Sequence, residues 1–340
     1  MKVQRVDALN FPSLGGKLGF SGLDSWMNVV HEIYNYKIHR LAVFEDTQPL
    51  GALALAEVKH PVFGHYLVTA PFGSYGGFAF ESKTTRDLLL DEVSRLAEEL
   101  KVEYAAIRFE EGEAQPPANW TQLPSYCTYL VDLPSTSEEI LKTFSSDHRN
   151  HVRKSIKKGF TVRFGHLDLL DDMYEALARS MHELGSPYHS KFYLRKMAEF
   201  LGETLEFTVL YDPHGKIAGG GVFITQGDTV SNLHANILRF VRSNYAGEFL
   251  YWSVIERNIQ KGLKTFDLGR SLIGSGNEIF KMKWAPRKKL LAYWHWLAAG
   301  HELPSLNQKN PKFQIAIAVW KRLPAFIVRP LGPYLVRGLA

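Results

Sequence analysis

Apolar and polar positions along this chain follow a helical and a strand periodicity, and they predict two halves with a similar layout. Apolar residues spaced three to four apart predict amphipathic helices, whereas short alternating or continuous apolar runs bounded by turn residues predict strands. In the second half the pattern predicts helices over 137–158, 169–184, 190–202 and 247–261, and strands over 205–211, 216–225, 229–236 and 264–268. In the first half it predicts helices over 25–36 and 84–100, and strands over 41–44, 50–58, 67–70, 104–108 and 126–132.

The order helix, helix, three strands, helix, strand is typical of an N-acetyltransferase-like domain, and its recurrence indicates a duplication. We therefore expect an α/β (α+β) fold with two tandem domains of this kind, mixed sheets and a ligand cleft at or near their junction. The predicted boundaries are 1–135 for the first domain, 136–300 for the second and 301–340 for an amphipathic tail. A length of 340 residues suits two domains of ordinary size.

Composition indicates a globular protein but does not identify its ligand. Hydrophobic residues make up 45% and charged residues 22%, as in globular proteins, and the formal net charge of +5 suits any anionic partner. The single Cys127 excludes an internal disulfide or a cysteine-based zinc site and favours a reducing compartment. No signal-peptide pattern and no apolar run long enough to cross a membrane is found, so a cytoplasmic location is expected.

The segment from Phe266 to Trp284 carries the densest candidate chemistry. A short apolar strand ends on Asp267, a glycine frees the backbone, and Arg270 and Ser271 open a glycine-spaced loop before a lysine-rich helix. Ligands commonly bind at the ends of strands in open sheets. The pattern therefore predicts a cationic pocket for an anionic group, with Ser271 among its substrate-binding residues.

Asp267 is the candidate for orienting or deprotonating an amine, and Arg270 is suited to a phosphate or carboxylate. Each has a structural alternative, in which Asp267 caps the loop backbone or the two residues pair with each other. Lys281 is expected to reach the pocket from the following helix, with Trp284 packed beside it or buried in the core.

A basic run from Arg149 to Lys158 is a second candidate surface. Arg149 and Arg153 lie four apart on one helical face and are candidates for binding a phosphate-bearing substrate or a tRNA. A solvated surface is the alternative. Tyr75, within a glycine-rich turn of the first half, is a candidate for the acceptor site or for local packing.

Six segments in order resemble the FemAB/FemX-related proteins with tandem acetyltransferase-like (GNAT) domains, and most closely the branch associated with exosortase/PEP-CTERM exopolysaccharide clusters. The segments are 71–77, 149–159, 184–187, 266–271, 274–276 and 280–284. The resemblance implies transfer of an activated acyl group, in Fem proteins from aminoacyl-tRNA, to an amine on a cell-wall precursor. It does not identify a substrate for this branch.

Ordinary acetyltransferases hold the diphosphate of CoA on backbone N–H groups of a glycine-rich loop at a helix N-terminus. The equivalent place here runs from Arg242 to Gly247, and these two end positions fit, whereas Tyr245 stands where a glycine is expected. A phenol there crowds the backbone, so the case for a CoA donor is weakened. A simple helix-entry turn is the alternative.

The thirteen histidines show no metal-binding spacing, so no metal site is expected. His234 is a candidate base on a predicted strand, with a structural role as the alternative. The tail from Lys312 onward combines apolar clusters with basic residues, a pattern that suits either an anionic membrane surface or packing on the second domain.

Together these features predict an acyl- or aminoacyltransferase acting on an amine or hydroxyl of a cell-envelope or exopolysaccharide precursor, with no permanently bound cofactor. The donor is expected to be aminoacyl-tRNA or acyl-CoA, and the partners an anionic small molecule or a lipid-linked saccharide or peptide, without DNA. A CoA-dependent N-acetyltransferase of an amino sugar and a non-catalytic binder of an anionic saccharide remain the alternatives.

Overall fold

The computed structural model describes residues 1–110, 114–123, 126–302 and 311–340. Within them the chain divides into two compact units. The first contains Met1–Cys127 together with the strand Ala292–Leu297 and the last residues Arg337–Ala340, and the second contains Thr128–Lys288 and the C-terminal helices.

The first unit is built on a mixed sheet covered by helices. Its elements are β1 (Lys2–Arg5), α1 (Pro12–Leu18), α2 (Asp24–Tyr34), β2 (Lys37–Glu45), β3 (Gln48–His60), β4 (Gly64–Val68), β5 (Phe78–Phe80), α3 (Lys83–Leu100), β6 (Tyr104–Phe109) and β7 (Trp120–Gln122). Ser82 begins α3 by accepting a hydrogen bond from the Thr85 N–H, as expected of a serine N-cap. The core of this unit lies between α3 and the sheet, where Leu89 and Val93 pack on Leu53.

The second unit repeats the scheme. Its elements are β8 (Tyr126–Asp132), α4 (Ser137–Thr143), α5 (Ser146–Ile156), β9 (Thr161–Gly165), α6 (Leu170–Leu184), α7 (Lys191–Leu201), β10 (Leu205–Tyr211), β11 (Ile217–Gln226), β12 (Thr229–Ile237), α8 (Ala246–Gln260), β13 (Thr265–Asp267), β14 (Ser271–Leu272), α9 (Gly276–Met282), β15 (Arg287–Leu290), α10 (Pro311–Trp320) and α11 (Ala325–Val336). The strand between β15 and α10, β16 (Ala292–Leu297), belongs to the first unit and its sheet. The predicted α/β architecture with two mixed sheets is confirmed.

Two strands join sheets that their sequence positions do not suggest. The strand order of the first sheet is β1-β2-β3-β4-β6-β16-β7 with β5 beside β3, and that of the second is β14-β8-β13-β12-β11-β10-β9 with β15 beside β8. The strand over Tyr126–Asp132, expected to close the first half, therefore pairs with β13. Conversely Ala292–Leu297, predicted within the second domain, pairs with β6 and β7.

Close helix–sheet packing in the second unit depends on small residues of β11. A Cβ at Gly220 would lie 2.7 Å from the Met173 Cε of α6 and 2.8 Å from the Thr208 carbonyl oxygen of β10, so a larger residue there would require the Met173 side chain and the neighbouring strand to shift. Gly185 ends α6 with a left-handed φ of 82°, and its N–H and that of Ser186 bond to the last helical carbonyls. These details confirm the predicted helix and its end.

Candidate active site of the second unit

The candidate site lies where two parallel strands end side by side. β12 and β13 run parallel and pair from Thr229↔Thr265 to Ser231↔Asp267, whereas β9–β10, β10–β11, β11–β12 and β8–β13 pair antiparallel. β13 ends at Asp267, and the N–H of Leu268 bonds to the Tyr129 carbonyl of β8. β12 continues to Ile237. The pairing between β12 and β13 thus stops at Asp267, and the carboxyl end of a parallel pair is a common ligand position.

An asparagine bridges the two strands beyond their last pair. A register shift in β12 leaves Leu233 bulged, because Val222 opposes His234 and Phe223 opposes Asn232. The Asn232 amide donates to the Tyr251 hydroxyl at 2.9 Å and approaches the Leu268 carbonyl at 3.4 Å. This side chain therefore connects β12 both to α8 and to the backbone that follows β13. β-Bulges are common next to active sites, where they redirect a strand.

Asp267 is a buried carboxylate that holds the loop after β13. Its exposed fraction is 3%. Its Oδ1 accepts hydrogen bonds from the Thr128 hydroxyl at 2.5 Å and from the Gly269 N–H at 2.8 Å. Gly269 has a φ of 75°, which a residue with a Cβ rarely adopts, so the turn requires both the acid and the glycine. This is the loop-capping role that the sequence pattern left open for Asp267.

Lys281 reaches the same loop from α9. Ser275 caps this helix by accepting from the Glu278 N–H, and Lys281, near the end of the helix, is buried with only 8% of its surface exposed. Its Nζ donates to the carbonyl oxygens of Gly269 at 2.7 Å and Arg270 at 2.8 Å. The buried ammonium thus holds two backbone carbonyl groups of the loop in place.

Burial also changes the acidity of this ammonium. Desolvation lowers the pKa of Lys281 to about 8, and the positive charge of Arg270 lowers it further, whereas the negative charge of Asp267 raises it. The Nζ also lies 5.7 Å from the centre of the Tyr129 ring. A lysine poised near neutral pH beside a buried carboxylate is the kind of group that functional sites use.

The next two residues of the loop differ in burial: Arg270 lies at the surface and Ser271 in the interior. Arg270 is exposed, which leaves its guanidinium accessible to a ligand. Ser271 is 4% exposed, and among the described residues its Oγ has no hydrogen-bond partner. A buried hydroxyl in that state requires a partner such as a ligand or water. Both residues therefore suit a small polar ligand at this loop.

A carboxylate that the sequence pattern did not single out braces the same loop. Glu278 accepts hydrogen bonds from the Lys288 ammonium at 2.7 Å, the Gly274 N–H at 2.5 Å and the Tyr129 hydroxyl at 2.8 Å. The hydrogen bonds from these donors lower the pKa of Glu278 to about 2, and the bond from Lys288 has the largest effect. In the sequence, Glu278 stands out only as an acid three residues after Ser275, which is a helix-start pattern. That pattern does not reveal the distant donors Tyr129 and Lys288.

The segment from Arg242 to Gly247 departs from a diphosphate-binding loop in the structure as well. Tyr245 has a φ of 61°, a conformation that a glycine adopts without strain, and its ring packs 4.8 Å from that of His151. Arg242 is exposed and bonds to the Ile237 carbonyl. Glu248, in the first turn of α8, is buried. An acid at this turn opposes an anionic donor group, since it occupies the helix end where anions otherwise bind.

His234 lies in a separate buried cluster. Its ring packs 5.7 Å from that of Tyr188 and 5.8 Å from that of His189, and burial lowers the pKa of His234 to about 4. Among the described residues its Nε2 has no hydrogen-bond partner. A histidine with so low a pKa is a weak base, so these contacts favour the structural alternative for His234.

Three further predicted residues have local structural contacts. Arg149 donates to the Phe144 carbonyl at 2.5 Å, while Arg153 is exposed on α5. Trp284 is completely buried and contacts Phe144 and His148 edge to face. These contacts favour core packing, the alternative that the sequence pattern left open for Trp284, and its contact with substrate stays a prediction.

Tyr75 lines a cavity of about 540 Å³ in the first unit. The charged residues in its wall are Lys17, Glu81, Lys83, Glu110 and Lys289. Two hydrogen bonds hold the turn that carries Tyr75. The Gly77 N–H donates to the Leu18 carbonyl at 2.7 Å, and the Ser21 hydroxyl donates to the Tyr75 carbonyl at 2.5 Å. Volumes of roughly 300–1,000 Å³ are usual for small-molecule sites, so this cavity is large enough for one.

The C-terminal helices pack on the second unit through one face. The His182 ring bonds to the Trp320 carbonyl, and Arg329 pairs with Glu175 at 2.5 Å. The opposite side is apolar and exposed, with Phe326 at 77% and Ile315 at 66%. Residues 303–310 of the predicted tail lie outside the described residues. Across the described ranges, no helix combines the length and apolar character needed to span a bilayer.

Comparison with known proteins agrees with this architecture. Residues 146–282 match the family model described as acetyltransferase (GNAT) domain. The chain is similar to the crystal structure of FemX, with 13% identity, a TM-score of 0.63 and coverage of 93% of this chain and 100% of that one. The chain has a tandem GNAT fold. None of the curated proteins matches it.

Two other solved structures share this tandem GNAT fold. A tandem GNAT protein from the clavulanic acid biosynthesis pathway is 12% identical, with a TM-score of 0.57 and coverage of 88% and 99% of the two chains. The C-terminal domain of a putative lysylphosphatidylglycerol synthetase from Agrobacterium fabrum is 13% identical, with a TM-score of 0.53 and coverage of 80% and 87%. At these identities the similarity establishes the fold, which is acyltransferase-like, and leaves the substrate open.

Proposed function

We propose that this protein is an acyl- or aminoacyltransferase that transfers an activated acyl group to an amine or hydroxyl of a cell-envelope or exopolysaccharide precursor. The observation that carries the proposal is the buried Lys281 ammonium, bonded to the Gly269 and Arg270 carbonyls beside Asp267 at the end of a parallel strand pair. The GNAT fold supports acyl transfer as the reaction class. The FemAB/FemX resemblance supports an envelope precursor, and its PEP-CTERM branch stays a prediction.

In this proposal the loop after β13 binds the reacting groups. Acyl transfer builds negative charge on the acyl oxygen, which a positioned cation or N–H group stabilises. Lys281 supplies a cation within the loop, and Arg270 supplies an exposed guanidinium for a phosphate or carboxylate of the substrate. Asp267 holds the loop through Gly269 and keeps Lys281 charged. Ser271 offers a buried hydroxyl for a polar group of the ligand.

The acceptor and the donor are assigned different places. The cavity lined by Tyr75 is our candidate for part of the acceptor site, since its wall carries the ion pairs Lys17–Glu81 and Lys289–Glu110 and the cation Lys83, a polar lining that suits a saccharide or peptide. The basic surface of α5 around Arg153 is the candidate for a tRNA donor. Tyr245 and Glu248 count against a CoA donor, because one crowds and the other repels a diphosphate at the start of α8.

A CoA-dependent N-acetyltransferase is the second candidate, favoured by the match of residues 146–282 to an acetyltransferase domain. The exposed apolar side of α11 supports peripheral contact with a membrane that carries a lipid-linked acceptor.

The deciding experiment combines binding and turnover. Thermal-shift measurements with acetyl-CoA, aminoacyl-tRNA and UDP-linked or polyprenyl-linked amino sugars identify ligands of the folded state, since binding at 100 times Kd stabilises by about 2.7 kcal/mol. Mass spectrometry of donor–acceptor pairs then detects the acylated product. Stabilisation by aminoacyl-tRNA together with product supports the proposal. Product from acetyl-CoA alone moves the assignment to acetyl transfer, and binding without product in every pair overturns catalysis.

A further inference from the structure

Three residues with metal-binding side chains meet where α5 packs against the start of α8. His148 and His151 lie three apart on α5, and Glu248 is in the first turn of α8. One potential ligand atom from each lies within 4.8 Å of the other two. None of the three residues was assigned above to catalysis or to substrate binding.

His148 is the strongest sign that this cluster has a ligand. The side chain is 1% exposed, and among the described residues neither ring nitrogen has a hydrogen-bond partner. Within the described part of the chain its ring lies edge to face with Phe144 and Trp284, neither of which carries an oxygen acceptor. Buried polar atoms nearly always have a partner, so an unsatisfied imidazole of this kind indicates an absent one. The neutral imidazole is the form of histidine that binds metals.

His151 is oriented as a metal ligand usually is. Its Nε2 lies 3.4 Å from the Asp147 carboxylate one turn earlier, and its buried Nδ1 has no partner within the described part of the chain. A carboxylate on one ring nitrogen fixes the ring and makes the other nitrogen a better ligand. Asp147 therefore leaves Nδ1 of His151 available to the cluster.

Glu248 completes the set with a carboxylate that is 8% exposed. It has an ionic contact with Lys283, whose Nζ lies 3.6 Å from Oε1, a long distance for an ion pair. Three atoms within 4.8 Å of one another share a centre no farther than about 2.8 Å from each (4.8/√3). Ligand distances to zinc are about 2.0–2.2 Å, so side-chain shifts of under about 1 Å suffice.

We propose that His148, His151 and Glu248 bind a divalent transition-metal ion of the zinc class, with Asp147 orienting His151. Two imidazoles and one carboxylate form a three-ligand set that leaves a coordination position for water or a ligand oxygen. The ion would fasten α5 to α8. The histidine spacing led us to expect no metal site, and this proposal replaces that expectation. It does not depend on the proposed transferase function.

Metal binding is tested on the full chain after treatment with a chelator. Titration with Zn²⁺ followed by elemental analysis is expected to give one bound ion per chain, with a raised melting temperature. Titration with Co²⁺ is expected to produce the visible absorption of a low-symmetry site with nitrogen and oxygen ligands. Binding well below one ion per chain, with no Co²⁺ absorption, overturns the proposal.

Variants separate this site from surface binding. His151→Gln and the isosteric Glu248→Gln are expected to weaken Zn²⁺ binding by about 100-fold or more, since even changes outside the ligand set cost 10- to 100-fold. His214→Gln, at an exposed turn histidine, serves as the matched control and should retain binding. Lys283→Met is expected to tighten binding, because a competing cation next to Glu248 is removed. Wild-type affinity in both ligand variants, or equal loss in the control, contradicts the site.

Discussion

The Nζ of Lys281 donates a 2.7 Å hydrogen bond to the carbonyl oxygen of Gly269, and this contact joins helix α9 to the turn that ends strand β13. A second bond to the Arg270 carbonyl makes the lysine a clamp on the loop. The same ammonium is buried beside Asp267, so one side chain both shapes the candidate site and charges it.

Lys281→Met is expected to lower the rate of acyl transfer by about 100- to 1,000-fold, the usual cost of removing one group that stabilises an oxyanion. Lys281→Arg keeps the charge but not the compact geometry, so it should retain part of the rate. Transfer is measured by mass spectrometry, and circular dichroism verifies folding. Full activity of a folded Lys281→Met protein would exclude the lysine from the reaction.

The stability of the wild type should depend on pH through Lys281. The folded-state pKa is lowered to about 8, whereas an unfolded lysine titrates near 10.4. Between these values the unfolded chain holds a proton that the folded chain has released, so the free energy of unfolding rises with pH. Relative to Lys281→Met, the wild type should therefore gain stability from about pH 8 to 10. Urea titrations at pH 7 and 9.5 measure this difference, and a constant difference contradicts the lowered pKa.

Asp267→Asn should reduce transfer and lower the pKa of Lys281 further, because the carboxylate charge that favours the ammonium is lost. Thr128→Val is the matched control, since it removes one hydrogen bond of Asp267 and leaves its charge. The pH profile of transfer is the readout. If Asp267→Asn transfers at the wild-type rate, Asp267 has no part in the reaction.

Tyr245→Gly tests the donor. The left-handed backbone of Tyr245 costs about 1–2 kcal/mol, which glycine would relieve, while the ring contact with His151 would be lost. We expect opposing effects on stability and little net change in melting temperature. Acetyl-CoA binding, measured by calorimetry, should be weak in the wild type and stronger in the variant. Tight binding of acetyl-CoA to the wild type would favour the CoA-dependent candidate.

Phe326→Asp should abolish sedimentation with anionic phospholipid vesicles if α11 contacts a membrane. The ring is 77% exposed, so its replacement should leave folding unchanged. Phe200→Asp on α7, at a side chain that is 43% exposed, provides the control and should still sediment. Equal binding by all three proteins would show that Phe326 makes no membrane contact.

The local elements were within reach of the sequence. The strands Leu205–Tyr211 and Tyr126–Asp132 have the predicted bounds, and the helix predicted over 84–100 begins one residue earlier, at Lys83. Hydrophobic periodicity, serine caps and terminating glycines act over a few residues, so a linear pattern records them. The glycine after Asp267 was informative for the same reason, since a left-handed turn leaves a residue-type signature.

Strand partners and buried contacts were decided only by the tertiary structure. Nothing local to Tyr126–Asp132 or Ala292–Leu297 specifies which sheet each joins, because pairing depends on segments more than 100 residues away. Likewise His148 and Glu248 are 100 positions apart and meet only because α5 packs on α8. The burial that lowers the pKa of Lys281 arises from packing too. The sequence by itself determined the elements and the candidate loop, whereas folding determined burial, partners and charge, because these depend on contacts between distant segments.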